Sequence, residues 1–194
     1  GKRTTIIMKS MLIKALFLPL LFISGVSVAK EHAELKPATI FIAGDSTAAS
    51  YSNADHQGWG EPFKAYFDSK TVTVDNRARG GRSTRTFIAE GLWQALIDDV
   101  RAGDVVIIQF GHNDGSPVND NRRARGTLPG IGDDFVDIVN QLTGKQERVF
   151  SFGHYIRQMV AEVQAKQAIP VLASLTVRNL WQGHRIERGS GQYG

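Results

Sequence analysis

The chain contains no cysteine. Disulfides, a thiol nucleophile and cysteine-based metal sites are therefore excluded, and stability must come from a hydrophobic core. Histidine is scarce as well. The five histidines form no HExxH pattern or other close pair, so neither a structural metal nor a cofactor is expected. Acidic residues are missing from the first 29 positions, which hold Lys2, Arg3, Lys9 and Lys14. These four account for the formal charge of +4, because the rest of the chain carries 19 residues of each sign. A neutral body gives no argument for a nucleic-acid partner.

The acid-free beginning has a layout of its own. Lys9 and Lys14 precede the apolar stretch Ala15–Ile23, and the small residues Ser27 and Ala29 sit at −3 and −1 of a possible cut before Lys30. This is the pattern of a secretory signal peptide over residues 1–29, with a stretch too short to favour a spanning helix. The expectation is a secreted or periplasmic protein, monomeric and without a membrane partner once the signal is removed. Residues 30–194 are then one domain, and a hydrophobic content of 42% supports a sizeable core.

Four short runs read as strands: Ala38–Ala43, which is apolar enough to be buried, Thr71–Val74, Asp104–Phe110 and Pro170–Leu175. Stripes at helical spacing separate them. Trp59, Phe63, Tyr66 and Phe67 form the first, then Ile88, Leu92, Ala95 and Leu96, then Ile156, Met159, Val160 and Val163. Each is read as core packing. Strands alternating with helices imply a parallel sheet covered on both faces, with ligands bound beyond the carboxyl ends of the strands. Between Asp114 and about Arg148 the periodicity weakens and Gly126, Pro129, Gly130, Gly132 and Gly144 accumulate. A loop of that length is uncommon and often functional. Leu128, Ile131, Phe135 and Ile138 suggest some packing within it, with a short helix over 133–142.

Three strand ends carry small and polar residues: GDST at Gly44–Thr47, NRARGGRS at Asn76–Ser83 and GHND at Gly111–Asp114. A serine after a buried strand can expose its hydroxyl at the sheet edge among N–H groups that favour negative charge, or simply cap a helix. Asn113 can donate its amide to a developing oxyanion. Gly80 and Gly81 can bring bare backbone, and an inward N–H, close to a ligand, or merely form a turn. Each motif alone is weak. In this order, 35 residues from Ser46 to Gly81 and 32 from Gly81 to Asn113, they suit one strand–helix–strand unit each and converge at one edge.

With these motifs the chain resembles the SGNH, or GDSL, hydrolases, and within them the rhamnogalacturonan acetylesterases. The likeness extends to Gly58-Trp59-Gly60, to GGRSTRTF at Gly80–Phe87, to Glu90-Gly91, to GTLPG at Gly126–Gly130 and to Arg178, Asn179 and Trp181. It implies a three-layer αβα sandwich around a central parallel sheet, flavodoxin-like and incomplete at its C-terminus. It also implies a carboxylic ester hydrolase that removes acetyl groups from an acetylated pectic polysaccharide. Ser46 is then the nucleophile, with its own N–H, the N–H of Gly81 and the amide of Asn113 as the oxyanion hole, and Asp45 a structural partner of the turn. One part of the pattern is missing. The family's general base is a histidine three residues after an aspartate, whereas the residues three before the histidines here are Ala29, Asn53, Gln109, Ser151 and Trp181. The expectation is a truncated and nearly inactive fragment. The alternatives are a lipase or arylesterase of the same superfamily and a non-catalytic carbohydrate-binding pseudoenzyme.

Overall fold

The computed structural model describes residues 36–53, 55–177, 180–186 and 193. The signal-peptide reading of residues 1–29 and the Arg178 and Asn179 matches lie outside these. Strands β1 (Ala38–Gly44), β2 (Val72–Asn76), β3 (Val105–Gln109) and β6 (Ile169–Leu172) form one sheet in the order β2-β1-β3-β6. All three pairings are parallel, with Phe41 opposite Val106 and Val106 opposite Pro170. Asp104 fixes the entry to β3, since its Oδ1 accepts the Thr39 N–H and its Oδ2 the Arg101 N–H.

Side chains alternate along a strand, so Phe41 and Ala43 share a face with Val106 and Ile108. That face carries the core. It packs against Phe87 of α2 (Thr84–Ala89), Trp93, Leu96 and Ile97 of α3 (Leu92–Asp99), and Met159 and Val163 of α4 (Phe152–Ala165). The opposite face is covered less fully: Ile42 is fully buried, but Ile40, Val105 and Ile107 are half-buried.

Three sequence expectations need correction. The first apolar stripe is no core helix. Only a four-residue turn, α1 (Gly60–Phe63), and a 3-10 turn follow Trp59, and Tyr66 is 83% exposed. Trp59, Phe63 and Phe67 instead stack edge to face in series near the surface. The second stripe spans two helices. Gly91 breaks them with a left-handed φ of +76°, which turns Trp93 and Ile97 inward in place of Ala95. Finally, the proposed helix over 133–142 is a β-hairpin of β4 (Phe135–Val139) and β5 (Gln146–Phe150). Its β-branched residues and local turn chemistry decide this. Asn140 Oδ1 accepts the N–H groups of Leu142 and Thr143, and Gly144 supplies the left-handed residue. A further strand pair, β7 (Trp181–Gln182) and β8 (Arg185–Ile186), follows the sheet.

Candidate functional site

The three motifs leave the carboxyl ends of neighbouring strands. Ser46 follows β1, Gly80 and Gly81 follow β2, and Asn113 follows β3. Ser46, Gly81 and Asn113 line one cavity of about 570 Å³, together with Tyr51, Gly80, Arg82, Thr86, Glu90, Arg123 and Arg125.

The turn that carries Ser46 is tied down on both sides. Asp45 is fully buried, and its Oδ1 accepts the Thr47 N–H at 2.9 Å and the Thr47 hydroxyl at 2.7 Å. The Gly58-Trp59-Gly60 segment lies against the same turn, donating N–H groups to the carbonyls of Ala49, Thr47 and Ala48. A Cβ on Gly58 would fall 2.4 Å from the Ala48 carbonyl carbon, so only glycine lets the two backbones meet. Trp59 then reaches β3, where its indole N–H donates to Gln109 Oε1 at 2.6 Å. Gln109 donates in turn to the Ser174 carbonyl at 2.7 Å. Ser46 itself stays half-buried, and its hydroxyl has no hydrogen bond among the described residues.

The second motif approaches closely. A Cβ on Gly80 would lie 3.8 Å from the Ser46 Cβ. Gly81 has φ +79°, a left-handed value that costs any residue with a Cβ, and its carbonyl is pinned by Arg125 Nη1 at 3.0 Å. The peptide that carries the Gly81 N–H is held through its own oxygen, the Gly80 carbonyl, which accepts from Arg82 Nη1 at 2.9 Å, and the N–H groups of Gly81 and Ser46 donate to no described residue. Asn113 is buried, with one amide hydrogen given to the Arg82 carbonyl at 2.9 Å. An amide nitrogen has two hydrogens, so one remains. Unpaired N–H groups are rare in protein interiors unless a ligand or water completes them. The residues that carry these three, Ser46, Gly81 and Asn113, line one cavity.

Asp114 underlies the site. It is fully buried and accepts the Thr84 N–H at 3.1 Å and the Thr84 hydroxyl at 2.5 Å, which locks the start of α2 to the end of β3. Burial pushes its carboxyl up to about 6. The Thr84 bonds oppose that rise and the nearby Asp45 adds to it. His112 points elsewhere, its Nε2 lying 3.3 Å from Thr176 Oγ1. None of the described residues lining the cavity is a histidine.

Sequence reasoning did not single out the charged wall. Arg82, Arg123, Arg125 and Glu90 all line the cavity. The RRAR run before GTLPG was the available signal, and only the fold shows that it turns back onto the site. The buried Arg85 that anchors this loop was missed too. Its Nε and Nη2 hold both oxygens of Glu147 at 2.6 and 2.7 Å, while Nη1 donates to the carbonyls of Val118 and Gly126. Burial works against the Glu147 charge, but the bonds from Arg85 and Asn140 outweigh it and hold the carboxyl below its ordinary value.

The three motifs sit at the edge of an open α/β sheet, and the chain belongs to the GDSL-like Lipase/Acylhydrolase family, whose model matches residues 42–192. Within that family the likeness is to rhamnogalacturonan acetylesterases. The Emericella nidulans protein of that name is 39% identical over 161 residues, covering 80% of this chain and 61% of the relative. Rhamnogalacturonan acetylesterase RhgT of Bacillus subtilis is 34% identical over 161 residues, covering 81% of this chain and 58% of the relative. The chain thus spans about three fifths of the length of these curated relatives. Among solved structures, protein YxiM of Bacillus subtilis superposes with a TM-score of 0.53 at 25% identity, over 73% of this chain and 34% of that one.

Proposed function

We propose that this protein is a serine esterase that removes acetyl groups from pectic polysaccharide of the rhamnogalacturonan type. Ser46 Oγ attacks the acetyl carbonyl, and the N–H groups of Ser46 and Gly81 with the Asn113 amide hold the resulting oxyanion. Water then releases acetate. The observation that supports this reading is that Ser46, Gly81 and Asn113 line one cavity, and that the Ser46 hydroxyl, the Ser46 and Gly81 N–H groups and one Asn113 amide hydrogen have no partner among the described residues. Each such donor is worth about 2.7–4 kcal/mol of transition-state stabilisation. The wall of that cavity is polar, with Tyr51 its sole aromatic residue and no Leu, Ile, Val, Phe or Met among the described lining residues. Such a wall suits a small acyl group on a hydrophilic alcohol better than a fatty acyl chain. The named relatives favour the same substrate.

A neutral serine needs an adjacent base. With no histidine among the described lining residues, the 194-residue chain by itself is proposed to turn over about 10⁴- to 10⁶-fold more slowly than a complete triad allows. A non-catalytic carbohydrate-binding protein of the same fold would also lack a base at the cavity.

Acetate release separates the readings. Where a base completes the site, the protein should deacetylate acetylated rhamnogalacturonan, and Ser46→Ala should lower the rate by at least about 10⁴-fold. Undiminished release by Ser46→Ala would reject the nucleophile, and binding without release would favour the carbohydrate-binding reading. Full turnover by the 194-residue chain would reject its inactivity. The leader-like residues 1–29 support a secreted or periplasmic site of action, for which the mature protein should begin at Lys30 on N-terminal sequencing.

A further inference from the structure

Two of the three donors assigned to the oxyanion hole meet at one residue, Arg82. Its carbonyl accepts the Asn113 amide hydrogen at 2.9 Å. Its guanidinium reaches back along the same turn, where Nη1 donates to the Gly80 carbonyl at 2.9 Å. That carbonyl and the Gly81 N–H are opposite ends of one planar peptide unit. Holding the oxygen therefore fixes the direction of the N–H. A cation on the oxygen also strengthens the N–H as a donor, because hydrogen bonds in series polarise one another.

An arginine alone would hold this bond poorly, since its long side chain has many rotamers. Glu90 removes that freedom. Arg82 Nε and Nη2, on one edge of the rigid guanidinium fork, both lie 2.9 Å from Glu90 Oε2, which leaves Nη1 for Gly80. Glu90 is itself an unfavourable residue for its place. It is the C-cap of α2, where a carboxylate meets the free carbonyls of the last turn. Arg82 offsets that repulsion. Gly91, with its left-handed φ, then starts α3 directly after Glu90, and Glu90 lines the cavity. With side chains 32% and 44% exposed, such a pair adds little to stability, so its place on the wall needs another reason. Arg125 treats the next peptide alike, donating to the Gly81 carbonyl at 3.0 Å.

We propose that Arg82 and Glu90 are positioning residues for the oxyanion hole. Glu90 holds the guanidinium, the guanidinium holds the Gly80 carbonyl, and the Gly81 N–H is thereby aimed and strengthened. The pair makes and breaks no bond in the reaction. This deepens the esterase reading and rests on it for what the hole receives, while one of its two tests needs no ligand.

The first test reads the Gly81 amide resonance in the proton–nitrogen NMR spectrum of the ligand-free 194-residue chain. Glu90→Gln and Arg82→Gln should each move it to lower frequency, as polarisation is lost, and Arg82→Lys should restore part of the shift. The second test titrates methylboronic acid calorimetrically. Its boron accepts a lone pair from Ser46 Oγ, the hydroxyl proton passes to buffer, and the tetrahedral adduct carries the negative charge of an oxyanion. Loss of a whole donor costs about 10²- to 10³-fold, so a misdirected one should weaken the adduct about 10-fold in Glu90→Gln and somewhat more in Arg82→Gln. Arg148→Gln, on the exposed hairpin, should change neither readout, because Arg148 pairs with Asp137 away from the cavity wall. Circular dichroism and the thermal midpoint of each variant establish that the fold persists. A Gly81 resonance unmoved in both variants, or a lower thermal midpoint with unchanged Ser46-dependent boronate affinity, would overturn the positioning role. If the resonance moves but boronate binding does not depend on Ser46, the tether stands and the esterase reading falls. If Ser46-dependent binding holds and the resonance stays in place, the reverse is true.

Discussion

Asn113 donates its side-chain amide to the carbonyl of Arg82 at 2.9 Å, so the third strand-end motif is tied to the second by one bond beside the cavity. The bond orients the amide and leaves its other hydrogen for an incoming oxygen. Asn113→Ala should therefore cut kcat about 10²- to 10³-fold in acetate release. The cost in stability should be only about 1 kcal/mol, read as a small change in the urea midpoint, because the orphaned Arg82 carbonyl belongs to a half-buried residue. An equal fall in both quantities would assign Asn113 to structure alone.

Glu147 should matter far from the chemistry. It neutralises Arg85, whose side chain is 2% exposed, and so secures the loop that bears Arg123 and Arg125. Glu147→Ala leaves a buried cation without its partner and should cost about 3–5 kcal/mol in equilibrium urea unfolding.

Asp114 predicts a pH dependence of the opposite sign to that of an exposed carboxylate. Its folded-state value, pushed up to about 6 by burial, lies above the unfolded value near 3.8. The folded chain therefore binds the proton more tightly, and this stabilising contribution is complete below about pH 4. It is lost as pH rises through about 6, for a total on the order of 3 kcal/mol. Asp120 acts in a separate window. Its bonds to the Arg123, Ala124 and Arg122 N–H groups hold it down at about 2, so its contribution is present above the ordinary carboxylate value and is lost as pH falls through about 2. Asp114→Asn should gain on the wild type in urea midpoint as pH climbs from 4 to 6, with no further gain above 7. A constant difference across that range would remove Asp114 from the account.

Gly58→Ala should damage both stability and turnover. The new methyl meets backbone rather than a mobile side chain, 2.4 Å from the Ala48 carbonyl carbon. Relief requires the Ser46 turn to shift, at about 1–3 kcal/mol. A displacement of 1 Å in a reacting group can cost about 10²-fold in rate. Thermal unfolding and acetate release on one preparation would check both parts, and an unaltered kcat would show that the turn absorbs the strain.

The parts legible in the sequence were those whose signal is local. The run IFIA before GDST and the run VVIIQ before GHND are buried strands because continuous β-branched and aromatic residues suit a sheet covered by helices. Parallel neighbours then bring Ser46, Gly81 and Asn113 to one cavity. What the sequence concealed was set at a distance. The first aromatic stripe has helical spacing, yet Trp59 is drawn to Gln109, fifty positions away, and the helix ends after four residues. The hairpin at Phe135–Phe150 sits partly exposed on both strands, so its alternation is diluted by Asp137, Glu147 and Arg148. Arg85 reads as a surface residue until Glu147, 62 positions on, is seen to hold it. Arg123 and Arg125 became visible only with the Asp120 turn.

Ser46, Gly81 and Asn113 belong to three separate crossings of the chain, and no two of them share an element. A half-folded chain with β1 and β2 paired would own the hydroxyl and two N–H groups but lack the carboxamide that β3 delivers. Chemical competence is thus a late, all-or-none event during sheet assembly, where distant pairings must all close. The rate at which a refolding sample regains reactivity toward a phosphonate ester would time the docking of the third strand.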